Sequence, residues 1–217
     1  TNYPTKLCTD DLMGVTLEHV LIGTGYNTKL VQPKDVPRSW EDLLNPRWKG
    51  KKIGVESRFK LFIYNTPNWG QERTVKYLNR LKEQDPVFSK GASSSNTLLG
   101  VGEFAIGVGV YLHGVLRDQA KGVTIDWAPI SPIIDKLSPF IVVREAPHPN
   151  AAKLFLRWLM SPEGQHLVDK VRGKGNPLPG SKTVQSGVIE RLGIDVFTCT
   201  AWEVESIKGI EELYAEA

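Results

Sequence analysis

Short apolar segments alternate along this chain with stretches whose hydrophobic residues recur at helical spacing, and that rhythm limits the folds open to it. HVLIGTGYN at 19–27 is an apolar run closed by residues that tolerate turns, which predicts a strand. In SWEDLLNPRW, Ser39 can cap a helix and Asp42 stands three residues on, as in a capping box, while Trp40, Leu43 and Leu44 supply the apolar face. Gly50 ends that helix, and KKIGVES at 51–57 reads as a buried strand. Between 70 and 84, Val75, Leu78 and Leu81 share one helical face, with Arg73, Lys76, Arg80 and Lys82 on the wet side. Phe104 to Val110 forms a glycine-interrupted strand, 112–120 a helix, and VTIDWAP and SPFIVV (138–143) further strands. Such alternation predicts an α/β architecture with a largely parallel sheet, whose ligands sit beyond the carboxyl ends of the strands.

The segment APHPNAAKLFLRWLMSPEGQHL, 146–167, carries the clearest helix signals. Pro147 and Pro149 restrict the backbone, Asn150 is placed to cap, and Leu154, Phe155, Trp158 and Leu159 fall on one face. Ser161-Pro162-Glu163 then starts a second helix, since serine caps and proline suits the first helical position. Beyond Gly173 the chain is glycine- and proline-rich up to Pro179, then helical around 184–192 and again near 203–214, which reads as wrapping and packing elements.

Composition narrows the function. With 41% hydrophobic content, 217 residues can bury a sizeable core in one or two domains. No run reaches the roughly 18 apolar residues of a membrane span, and TNYPTKLCTDD lacks the apolar core of a secretion signal. A net charge of +3 from 27 basic and 24 acidic residues, without interleaved aromatics, does not point to nucleic acid. The densest basic cluster, Arg47, Lys49, Lys51 and Lys52, reads as a solvated turn. Cys8 and Cys199 are too far apart for a zinc knuckle, leaving a long-range disulfide or two thiols. His19, His113, His148 and His166 have no second ligand or base at a useful spacing. There is no GxSxG, HExxH, phosphate loop or carboxylate pair with a partner base, so neither an enzyme nor a cofactor site is expected.

The residues themselves suggest a binding site. Ser93, Ser94 and Ser95 stand before an apolar helical run, where hydroxyls and free amides suit a carboxylate, phosphate or phosphonate. Tyr111 ends the strand GEFAIGVGV, from which its phenol can project into a cleft. Arg58 follows the 51–57 strand and can pair with an anion through its forked donors, beside the Ser57 hydroxyl.

Four stretches, APHPNAAKLFLRWLMSPEGQHL, GYNTKLV (25–31), VPRSWEDLLNPRWKGKKIGV (36–55) and GEFAIGVGVY (102–111), resemble extracellular solute-binding proteins of ABC importers, in the branch with ferric-iron, thiamine, phosphonate and polyamine binders. The resemblance implies a type II periplasmic-binding-protein fold, with two α/β lobes, two crossing segments and a ligand in the cleft. Residues 1–30 then hold the first crossing and its approach, 31–127 the second lobe, and 128–217 the return crossing, near Trp127 to Pro132, and the carboxyl-terminal part of the first lobe. Most of a first lobe precedes YNTKLV in that family, so this chain is expected to bind solute weakly by itself. Tyr26 and Asn27 are placed on the hinge side of the cleft. Ferric-binding relatives carry two adjacent tyrosines where Tyr111 is followed by Leu112, which makes iron a poor fit.

The function so implied is a secreted or lipid-anchored receptor, periplasmic or extracellular, that captures a small solute or ion and presents it to a membrane permease. An anion or metal-anion complex is favoured. The competing readings are a ligand-sensing module of a regulator or receptor, and an enzyme on the same scaffold.

Overall fold

The computed structural model describes residues 14–177, 180–200 and 203–204. Its centre is β1 (Gly14–Asn27), where almost every residue is buried because the strand is covered on both faces. Around it lie β2 (Ile53–Glu56), β3 (Val87–Ser89), β4 (Ile106–Tyr111), β5 (Ile125–Trp127), β6 (Ile133–Ile141) and β7 (Val196–Cys199). The sheet order is β3-β2-β4-β1-β6-β7, with β5 also pairing with β1.

The sheet is mixed rather than largely parallel. β2 is parallel to β3 and β4, and β6 to β7, but β1 runs antiparallel to β4, β5 and β6. Helical crossovers hold β2, β3 and β4 parallel: α1 (Lys60–Trp69) and α2 (Gln71–Lys82) lie between the first two, and α3 (Ala92–Val101) leads into the third. β1 enters from the opposite end. Its first eight residues pass beyond the end of β4, and its last ones pair with it.

The other helices are α4 (Leu112–Ala120), α5 (Pro149–Leu159), α6 (Pro162–Arg172) and α7 (Val184–Leu192). The helix expected in SWEDLLNPRW is instead two 3-10 turns, Glu41–Leu44 and Pro46–Trp48. Pro46 forces Asn45 into an extended conformation, and the helix cannot continue through it. The reciprocal cap survives, since the Asp42 amide donates to Ser39 Oγ (3.2 Å) and the Ser39 amide to Asp42 Oδ2 (3.0 Å). His148, not Asn150, is the cap residue of α5, because Pro149 occupies the first helical position, where a missing N–H costs nothing. Ser161 caps α6 as its sequence predicts, accepting from the Gly164 amide at 3.2 Å.

One face of the sheet packs Trp40, Phe62 and Tyr77 as a tilted and edge-on aromatic group, and the Tyr77 hydroxyl donates to the Trp40 carbonyl at 2.7 Å. The other face packs Leu99, Phe104, Val110, Val115 and Trp127. A third, smaller cluster joins Val15 and Leu17 of β1 to Leu159 of α5 and Val168 of α6. Leu154 and Phe155 remain 68% and 56% exposed on the free side of α5. Arg47 pairs with Asp35 (2.9 Å) in the solvated basic turn. The Cys199 thiol is free and buried, which pushes its pKa up to about 12, whereas Cys8 and the helix expected beyond Val204 lie outside the described residues.

Candidate functional site

Because β2, β3 and β4 are parallel, Glu56, Ser89 and Tyr111 come out at one edge of the sheet, and α1, α3 and α4 begin there with their positive ends. Glu56 is 2% exposed and accepts from Arg58 Nε (2.6 Å) and from the Lys60 amide (3.4 Å). That hydrogen bond, followed by the carboxylate's charge, raises the Arg58 pKa. The guanidinium lies over Gly91, the residue before α3. A Cβ there would stand 2.9 Å from Arg58 Nη2, and the φ of +86° itself favours glycine. The Ser57 amide donates to the Ser89 carbonyl at 2.9 Å, so this loop is tied to the end of β3.

Ser93 and Ser94 are exposed in the first turn of α3, where backbone amides have no partner within the helix. Ser95 differs. It is fully buried, its hydroxyl bonded to Ser89 Oγ and to the Gly91 carbonyl, so it fixes the start of the helix rather than facing a ligand.

Tyr111 reaches this edge through a bulge. Gly23 pairs with Val110 but Thr24 with Val108, so Gly109 is the extra residue, at φ +87° and packed against Glu56 Cβ. The bulge reverses the alternation: Ile106, Val108 and Tyr111 face the aromatic core side, and Val110 the other. Burial and then the Glu56 carboxylate raise the Tyr111 pKa, against a smaller opposing effect of Arg58. The His113 ring stacks on it at 5.5 Å. Burial, with Lys174, Arg117 and Arg172 adding to it, pushes His113 down to about 4, so it is neutral at physiological pH.

Tyr26 and Asn27 are not at this edge. Antiparallel pairing sets Tyr26 against Ile106, five residues from Tyr111 and therefore about 16 Å away along the strand. Asn27 is 2% exposed and donates from Nδ2 to the Leu99 carbonyl (2.8 Å), capping the far end of α3, and Tyr26 has its pKa raised by burial and by Asp126. Asn27 thus ties the end of β1 to the end of α3.

Sequence reading missed three further charged groups. Glu18 of β1 is buried and paired with Arg172 (2.6 Å) and Lys174 (3.0 Å). Lys136 of β6, opposite Val20, holds its ammonium 5.6 Å from the Tyr64 ring centroid. Lys60 opens α1. Burial lowers the Lys136 pKa, and the positive charges of Lys60, Lys174 and Arg58 lower it further. The one legible signal was phase: Lys136 stands two residues after the buried Ile134 and so shares its face of the strand, where an apolar residue would be expected.

A family model for the bacterial extracellular solute-binding protein matches residues 2–190. The chain belongs to that family. An uncharacterized protein of Haemophilus influenzae is 27% identical over 159 residues, 69% of this chain, and the chain spans about half (46%) of that relative's length. Among solved structures, an ABC transporter substrate-binding protein from Bradyrhizobium japonicum superimposes with a TM-score of 0.78 at 17% identity, covering 99% of this chain and 71% of its own. The ferric binding protein from Campylobacter jejuni gives 0.76 at 17%, covering 100% and 75%. The fold of this solute-binding protein is thus of the type II periplasmic-binding kind, and the edge holding Tyr111 lies where such α/β sheets bind ligands.

Proposed function

We propose that this chain is the solute-gripping part of an ABC importer receptor, working outside the cytoplasm, that holds a small anion at the Tyr111 edge and delivers it to a membrane permease. Residues 31–127 form the second lobe, 1–30 the first crossing, and 128–217 the return crossing with the carboxyl-terminal part of the first lobe. The observation that carries this reading is the Arg58 guanidinium set against Gly91 at the exposed start of α3, with Lys60, Lys136 and Lys174 adding positive charge nearby. Lys60, Lys174 and Arg58 each lower the Lys136 pKa. Clustered positive charge attracts and holds anions.

The same charges argue against a bare ferric ion. A hard trication prefers several anionic oxygens. Here Tyr111 is a single phenol kept protonated by burial, and Leu112 beside it is fully buried. Catalysis is not supported either, since His113 is neutral, stacked and without a nucleophile within hydrogen-bond reach among the described residues. Mechanism reduces to closure: contacts from both walls stabilise one arrangement, which the permease recognises.

Amide NMR titration with inorganic phosphate, against chloride at equal ionic strength, tests the reading. Phosphate is expected to move Ser93, Ser94 and the Arg58 side chain with millimolar affinity, weak because one wall is partial. Absence of any response at these residues, or binding of a cation there, would overturn it.

A further inference from the structure

The charges around the edge do not balance. Arg58 is engaged by Glu56, and Arg172 and Lys174 share Glu18. Lys60 and Lys136 have no carboxylate within 4.0 Å among the described residues. For Lys60, partly buried but only two residues after the exposed Ser57 and Arg58, that is ordinary. For Lys136 it is not. It rises half-buried from the middle of β6, with β1 on one side and β7 on the other. A ring face at 5.6 Å attracts an ammonium without neutralising it. Removing an ammonium from water without an anion is costly, and every charged neighbour that bears on it, Lys60, Lys174 and Arg58, is of like sign. A methionine or leucine would fill this place at less cost.

We propose that Lys136 is a ligand-contacting residue that, with Lys60, receives the second negative charge of a phosphomonoester dianion whose first charge is held by Arg58 and the amino end of α3. The inference rests on the anion reading above and adds the charge state of the solute and the residue that selects it. Burial and like charges already press Lys136 toward losing its proton, and a dianion arriving between the two walls reverses that pressure. A monoanion satisfies Arg58 alone and leaves Lys136 as it was.

The test uses the full chain with its lysines reductively 13C-methylated, titrated at pH 8 with methyl phosphate, a dianion, and dimethyl phosphate, a monoanion, at equal ionic strength. Methyl phosphate is expected to bind roughly tenfold more tightly, the worth of one charge-assisted contact, and to shift the Lys136 methyl signal, identified by its loss in Lys136→Arg. Lys136→Met should bring the two probes to similar affinity, and Lys136→Arg should restore part of the difference. A thermal melt confirms that each variant is folded. If Ser93 and Ser94 respond to methyl phosphate while Lys136→Met discriminates as well as the parent chain, the role of Lys136 is refuted and the anion reading stands. If no residue of the edge responds, both fall.

Discussion

Two helices of similar length and pattern meet opposite fates in this molecule. α2 turns Tyr77, Leu78 and Leu81 into the aromatic core and leaves Arg73, Lys76 and Arg80 in water. α5 has an equally clear apolar stripe, yet only Leu159 is buried at its end, and Leu154 and Phe155 face outward. Periodicity states that a helix has a face to hide. It says nothing about whether the surface that would hide it is present, and both the Haemophilus influenzae relative and the Campylobacter jejuni ferric binding protein are longer than this chain.

The same truncation made on both helices gives the sharpest contrast. Leu81→Ala, at 2% exposure, should cost about 2–5 kcal/mol in urea unfolding, whereas Leu154→Ala, at 68%, should change stability by less than about 0.5 kcal/mol. Equal costs would mean that α5 is covered in solution and would break the contrast. Gly109→Ala comes next. At φ +87°, with a new Cβ 2.9 Å from Glu56, it should cost on the order of 1–3 kcal/mol and weaken the phosphate response of the edge, because the bulge that aims Tyr111 is disturbed.

A smaller effect concerns His113, which lies between the two regions. Its folded pKa is depressed to about 4, so the unfolded chain binds the extra proton first, and stability present above pH 6.5 is lost as pH falls toward 4. Over that window the stability of His113→Gln should fall less steeply than that of the parent chain, by at most ~1–2 kcal/mol once solvent screening is allowed for. Parallel curves would show that burial, with the neighbouring cations, does not hold the ring's pKa down. The smallest expected change is in Phe155→Ser, near zero in stability but with lower retention on a hydrophobic-interaction column.

Elements whose signal is local were legible in the sequence. The strand through Tyr26, the helix ending at Lys82, the α5–α6 pair and the helix at 184–192 follow from local signals, whereas the Thr183 cap of the last is seen only in the structure. What depended on pairing partners was not. The antiparallel course of β1 and the bulge at Gly109 are set by strands distant in the chain, and the 3-10 turns at 41–48 by the effect of Pro46 on Asn45. The site divides the same way. Ser57, Arg58, Ser93, Ser94 and Tyr111 follow strands and could be found from strand ends. Lys136 and Lys174 reach the edge only because β6 and the segment after α6 return along β1, so no spacing in the sequence brings them near Arg58.

The Asn27 side chain, pinned at 2.8 Å to the last turn of α3, gives that helix a mechanical part. Ten residues make a rod about 15 Å long, with the exposed Ser93 and Ser94 at its amino end and β1 at its carboxyl end. A hydrogen-bonded helix shortens very little, so a load applied at Ser93 arrives at Asn27 as a displacement of the whole strut. The tyrosine–asparagine pair stands about one helix length from Ser93, where a displacement of that end would be felt.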